Sequence, residues 1–122
     1  MSDPTRAVFE REGEVVLARL SGEVEISGIE TLRAELVSNV ENRDHGLVVD
    51  LSHATYVDSA GVNMLFELAE ALARRQIRMA VVVPEEGLVA RVVSLVGMDS
   101  AIPVRATGEA AVAVLRSPPE GY

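Results

Sequence analysis

Two short, almost uninterrupted aliphatic runs constrain this chain most: Gly46-Leu47-Val48-Val49-Asp50-Leu51 and Met79-Ala80-Val81-Val82-Val83. A strand with no polar face must be covered on both sides, and parallel strands flanked by helices meet that demand. A helical pattern follows each run. After the first, Ser59 to Arg75 carries Gly61, Leu65, Leu68 and Leu72 on one face. After the second, Leu88, Val92 and Leu95 mark a helix, with Pro84, Glu85 and Glu86 expected in its first turn and Gly97 as its C′ residue.

Ahead of these units, Val8 to Arg11 and Glu14 to Leu20 flank Glu12-Gly13 and predict a β-hairpin. Ser27-Gly28-Ile29-Glu30 has the form of a capping box, so a helix with Ile29, Leu32, Leu36 and Val40 as its stripe should begin there. A loop after Leu51 leads to the second helix. Ala101 to Val104 predicts a short edge strand, since Pro103 cannot donate to a ladder. Thr107 should cap a last helix bearing Ala111, Val114 and Leu115. The order β-β-α-β-α-β-α-β-α implies right-handed crossovers and a mixed, mostly parallel sheet of about five strands with about four helices. The expectation is one α/β domain over residues 1–122, with its core at about 6–116 and a loose tail at 117–122.

Apolar residues make up 48 % of the 122 but aromatics only 3 %, so the core must be aliphatic. A formal charge of −8 argues against nucleic acid and anionic lipid as partners. Without cysteine there are no disulfides, thiolate metal sites or thiol chemistry. The start, Met1 to Arg6, lacks the apolar stretch of a secretory signal, and no segment approaches the ~20 apolar residues of a membrane span. The cytoplasm is the expected location. His45 and His53 have no second ligand at metal spacing, and neither a G-x-S-x-G elbow nor a phosphate loop is present. No metal, cofactor or catalytic role is expected.

The distinctive stretch is Val57-Asp58-Ser59-Ala60-Gly61. Small residues follow the serine, so its hydroxyl stands at a helix start with little cover. Unpaired N–H groups and the positive end of the dipole favour an anion there. A phosphate on Ser59 would be tolerated by the fold yet put roughly two negative charges on the surface a partner must approach. The alternative is that Asp58 or Ser59 is simply an N-cap.

Three segments together resemble the STAS domain family, and most of all its free-standing anti-sigma factor antagonists. They are Gly22-Glu23-Val24-Glu25, Leu47-Val48-Val49-Asp50-Leu51 and Val57-Asp58-Ser59-Ala60-Gly61-Val62, in order over nearly the whole chain. The resemblance implies a STAS-like fold and phosphorylation at Ser59. It further implies that the unmodified protein binds an anti-sigma factor that is also a serine kinase, freeing a sigma factor. Phosphorylation blocks that binding and a serine phosphatase restores it. Glu25 stands where the family often has Asp, and Ala60 replaces a common second hydroxyl, leaving one acceptor.

The partner-binding residues expected are Glu23, Glu25, Asp58, Ser59, Val62, Asn63 and Phe66. Ser59, Val62 and Phe66 lie at i, i+3 and i+7, which puts them on one stripe, read either as an exposed apolar patch or as a helix buried broadly. A monomer or weak dimer is expected. Two other readings remain: a STAS subunit of a larger assembly, such as a stressosome or lipid transporter, and an aspartyl-phosphate receiver centred on Asp50.

Overall fold

The computed structural model describes residues 3–117, so the expected tail beyond Ser117 lies outside the described residues. Five strands form one sheet in the order β1-β2-β3-β4-β5. β1 (Arg6–Glu12) and β2 (Val15–Val24) are the antiparallel hairpin. β3 (Gly46–Val57), β4 (Arg78–Val82) and β5 (Val104–Arg105) add in parallel. The helices are α1 (Ile29–Ser38), α2 (Ser59–Ala73), α3 (Leu88–Leu95) and α4 (Gly108–Arg116). The architecture is a single STAS-like α/β domain. A receiver's doubly wound sheet runs 2-1-3-4-5, so the sequential order here removes that reading.

Alternation along the strands builds two cores of unequal size. Leu47, Val49 and Leu51 of β3 face α1, α2 and α3, joined by Val16, Leu20, Val81 and the stripes Leu32/Leu36, Leu65/Leu68/Leu72 and Val89/Val93. Val48 faces the other way, with Leu17, Ala80 and Val82, against Ala111, Val112 and Leu115 of α4. One helix covers that second face, so its side near β1 stays open.

Several expected boundaries move, each for a local reason. Ser27 does not form a capping box: its hydroxyl donates to the Glu25 carboxylate, and a 3-10 turn, Ile26–Gly28, precedes α1. β3 does not end at Leu51. It continues to Val57 because β2 stays alongside, with Arg19 opposite Asp50 and Val24 opposite Val57. β3 spends seven steps (50 to 57) where β2 spends five (19 to 24), so two register shifts absorb the extra residues. Pro84, Glu85 and Glu86 precede α3, whose N-cap is Gly87. The edge strand falls at Val104–Arg105, where Pro103 and Arg105 carbonyls accept from Val81 and Val83 at 2.9 Å. Gly97 is left-handed after α3, and the Thr107 hydroxyl accepts from Ala110 N–H at 3.1 Å, as expected.

Asp44 fastens the hairpin to the α1–β3 loop. Its carboxylate is buried, accepts from Glu41 N–H at 2.7 Å and pairs with the Arg11 guanidinium. Burial pushes this carboxyl upward. The Arg11 hydrogen bond and the Glu41 N–H outweigh it and hold the carboxyl below its ordinary value. A carboxyl depressed on folding stabilises fully above its unfolded pKa, and that contribution is lost as pH falls through the folded value. Asp44→Ala should therefore cost about 1–3 kcal/mol at neutral pH. Thermal melts on acidification should show the gap between wild type and variant closing.

Candidate functional site

The parallel strands deliver their C-terminal ends to one side of the sheet, and there β2 and β3 bring two loops together. Gly22 takes φ +83, and any side chain on it would strike the Pro4 carbonyl; the segment before β1 lies across it, with Glu23 N–H donating to Asp3 O at 3.0 Å. Glu23 is half-buried on β2. Glu25 caps the 3-10 turn in extended conformation, its carbonyl accepting from Gly28 N–H at 3.0 Å.

Asp58 joins the two loops. One carboxylate oxygen accepts from Gly61 N–H at 2.9 Å, capping α2. The other accepts from Ile26 N–H at 3.1 Å, and Asp58 N–H donates to Val24 O at 3.2 Å. Gly61 is required by proximity: a Cβ there would sit 2.7 Å from Val24 O and 3.1 Å from Cγ1 of Val24 and of Val57. The helix start is thus pressed onto the ends of both strands. Asp58 is half-buried and holds the site's shape.

Ser59 is the first residue of α2 and is exposed. Its hydroxyl makes no hydrogen bond among the described residues. Of the first-turn N–H groups, those of Gly61 and Val62 are taken by Asp58, its carboxylate and its carbonyl respectively. Those of Ser59 and Ala60 remain for an anion at the helix start.

Of the two readings of the Ser59 stripe, broad burial of the helix holds and the apolar patch does not form. Val62 is only 5 % exposed and belongs to the main core, and Phe66 is half-buried against it. α2 buries a wide arc, Gly61, Val62, Met64, Leu65, Leu68 and Leu72, because it is wedged between the sheet and α1. What continues outward from Ser59 at helical spacing is polar: Asn63, then Glu67, which pairs with Arg33 of α1. The most exposed apolar residue of this region is Ile26, at 72 %, tied to the Ser59 loop through Asp58; Tyr56, opposite Glu23 in the ladder, is exposed to a lesser degree. An isoleucine beyond the last strand residue, Val24, set between Glu25 and Ser27, was the signal for it in the sequence. Asp50 accepts from Ser52 N–H at 2.9 Å and from its hydroxyl at 2.7 Å, ordering the distal part of β3.

Fold and site together define a STAS-type α/β domain with an unobstructed serine at the start of its second helix. Residues 7–106 match the family described as Mlab, STAS domain. BtrV of Bordetella bronchiseptica, which is named as an anti-sigma factor antagonist, is 32 % identical over 104 residues, covering 84 % of this chain and 88 % of BtrV. An anti-sigma factor antagonist from Mycobacterium paratuberculosis superposes with a TM-score of 0.83 at 24 % identity, over 96 % of this chain and 100 % of that one. SpoIIAA of Bacillus shares the fold in its unphosphorylated form (TM-score 0.71, 20 % identity, 93 % and 100 % covered) and in its phosphorylated form (0.67, 21 %, 91 % and 100 %). The chain belongs to the STAS domain family. No helix of the described residues is long and apolar enough to cross a membrane.

Removing the Asp58 carboxylate should cost about 1–2 kcal/mol, the upper range for a helix cap. Asp58→Ala should also speed hydrogen exchange at the amides of Ile26 and Gly61 while leaving the β4 amides protected. Gly61→Ala should be more damaging, since backbone must move, and Tm would register it.

Proposed function

We propose that this protein is a cytoplasmic anti-sigma factor antagonist, without enzymatic activity, controlled by phosphorylation of Ser59. Unmodified, it binds an anti-sigma factor that is also a serine kinase, and so releases a sigma factor. The kinase transfers the γ-phosphoryl group of ATP to the Ser59 oxygen, leaving ADP, and the modified protein no longer binds. A serine phosphatase hydrolyses the ester and restores it.

One observation carries this reading: the Ser59 hydroxyl is exposed and unbonded, whereas its neighbour Asp58 supplies the cap. A phosphoryl group added there breaks no hydrogen bond of the fold, and the helix dipole favours its charge. Toward a partner the same group is bulky and doubly charged at the centre of the contact. The relation to BtrV supports the antagonist class. Glu23, Glu25, Ser59, Asn63 and Ile26 form the accessible partner surface in this reading, and Asp58 and Val62 support it from within.

Incubation with ATP and the cognate anti-sigma kinase should add one acid-stable phosphate, absent from Ser59→Ala. That variant should keep partner binding, and Ser59→Glu should weaken it about tenfold or more. Ile26→Ala should also weaken binding about tenfold, with Tm unchanged. Equal binding by Ser59→Glu and wild type, with no phosphate gained, would favour the second reading, a fixed STAS subunit of a lipid transporter or stressosome.

A further inference from the structure

β1 alternates in a way its fold does not explain. Ala7 and Phe9 turn inward to the main core. By the period of two, Arg6, Val8 and Glu10 share the opposite face, the one α4 leaves open. There Val8 is 60 % exposed. Glu10 pairs with Arg19 beside it, and Arg6 has no ion pair among the described residues.

β1 is also an edge, with β2 as its one neighbour. No backbone hydrogen bond reaches Arg6–Glu12 from any other element among the described residues. The hairpin turn is Gly13-Glu14, so Glu12 and Val15 close it as a hydrogen-bonded pair. Pairs alternate from there, so Glu10, Val8 and Arg6 bond to β2, while Arg11, Phe9 and Ala7 direct their N–H and C=O outward. The free edge is long enough to pair; β5, at the other side of the sheet, has two residues.

Edge strands are commonly guarded by charged side chains, lysine above all, that keep a second strand away. Here the signs are complementary under a two-fold rotation. We propose that β1 is a self-association surface on which a second copy of this chain pairs antiparallel, with the two-fold axis at Val8. In that register Ala7 of each copy faces Phe9 of the partner subunit, and the outward N–H and C=O groups of these two residues are satisfied. Val8 meets Val8 of the partner subunit, and Arg6 faces Glu10 of the partner subunit twice over, on one side of a continuous sheet. The Glu10 carboxylate lies between two guanidiniums, Arg19 and the partner's Arg6. β2 separates this edge from β3, which leads to Ser59, so the paired form leaves both Ser59 sites uncovered. The pairing stands independently of whether Ser59 is phosphorylated.

Sedimentation equilibrium over a concentration series tests it. Wild-type protein should pass from monomer to twice that mass as concentration rises to about 1 mM. Arg6→Glu and Glu10→Arg should each weaken association about tenfold, by setting like charges opposite one another, and an equimolar mixture of the two should recover it as a heterodimer. Since Glu10→Arg also confronts Arg19, Val8→Glu and Val8→Arg provide a second pair with the same logic: separately monomeric, mixed dimeric. Circular dichroism confirms that each variant is folded. A wild type that stays monomeric throughout the series overturns the proposal, as does association that neither charge pair alters.

Discussion

One parallel ladder, β2 against β3, organises this molecule. β3 is flanked by β2 and β4 over its first half, and its side chains alternate into both cores, Leu47, Val49 and Leu51 on one side and Val48 on the other. Beyond Asp50 it leaves β4 behind and continues with β2 alone through two register shifts. That extension carries the chain to Asp58 and makes the start of α2 meet the end of β2. Close packing at Val24, Val57 and Gly61 then allows no side chain at position 61.

At the end of that ladder, Asp58 does the structural work and its neighbour Ser59 is left free of it. Asp58 bonds both to its own helix and to the Ile26 N–H, so two loops from different strands are tied together. Ser59 has no share in those bonds. A residue that capped the helix with its own hydroxyl could not be modified without loosening it; one residue further along, the hydroxyl is free to react. Of the two residues read as a cap, Asp58 takes that role, and the proposed modification of Ser59 would leave it undisturbed. With Val62 withdrawn and Glu23, Glu25 and Asn63 polar, Ile26 is the most exposed apolar element of the surface, with Tyr56 less exposed.

Much of this was legible from pattern. The aliphatic runs at 46–51 and 79–83 became buried parallel strands, and the stripes Leu32/Leu36 and Leu65/Leu68/Leu72 became the core faces of α1 and α2, because burial follows period. Thr107 and Gly97 behaved as their local chemistry requires. The errors came where a distant partner overrode a local signal. Ser27 and Glu30 form a sound capping box on paper, but Asp58, 32 residues away from Ile26, holds the turn before it in another shape. Ser52 to Tyr56 has loop composition, yet β2 beside it supplies a ladder.

By itself, then, the sequence determined the order of elements, the two-sided burial of the central strands and the place of Ser59 at a helix start. Those depend on periodicity and on residues within a few positions of one another. Only the tertiary structure decided which residues around Ser59 face outward. Burial on α2 depends on how wide an arc its neighbours cover, and spacing alone cannot express that. So Val62, on the same helical stripe as Ser59, went into the core, while Ile26, from another strand's end, came to stand beside the serine.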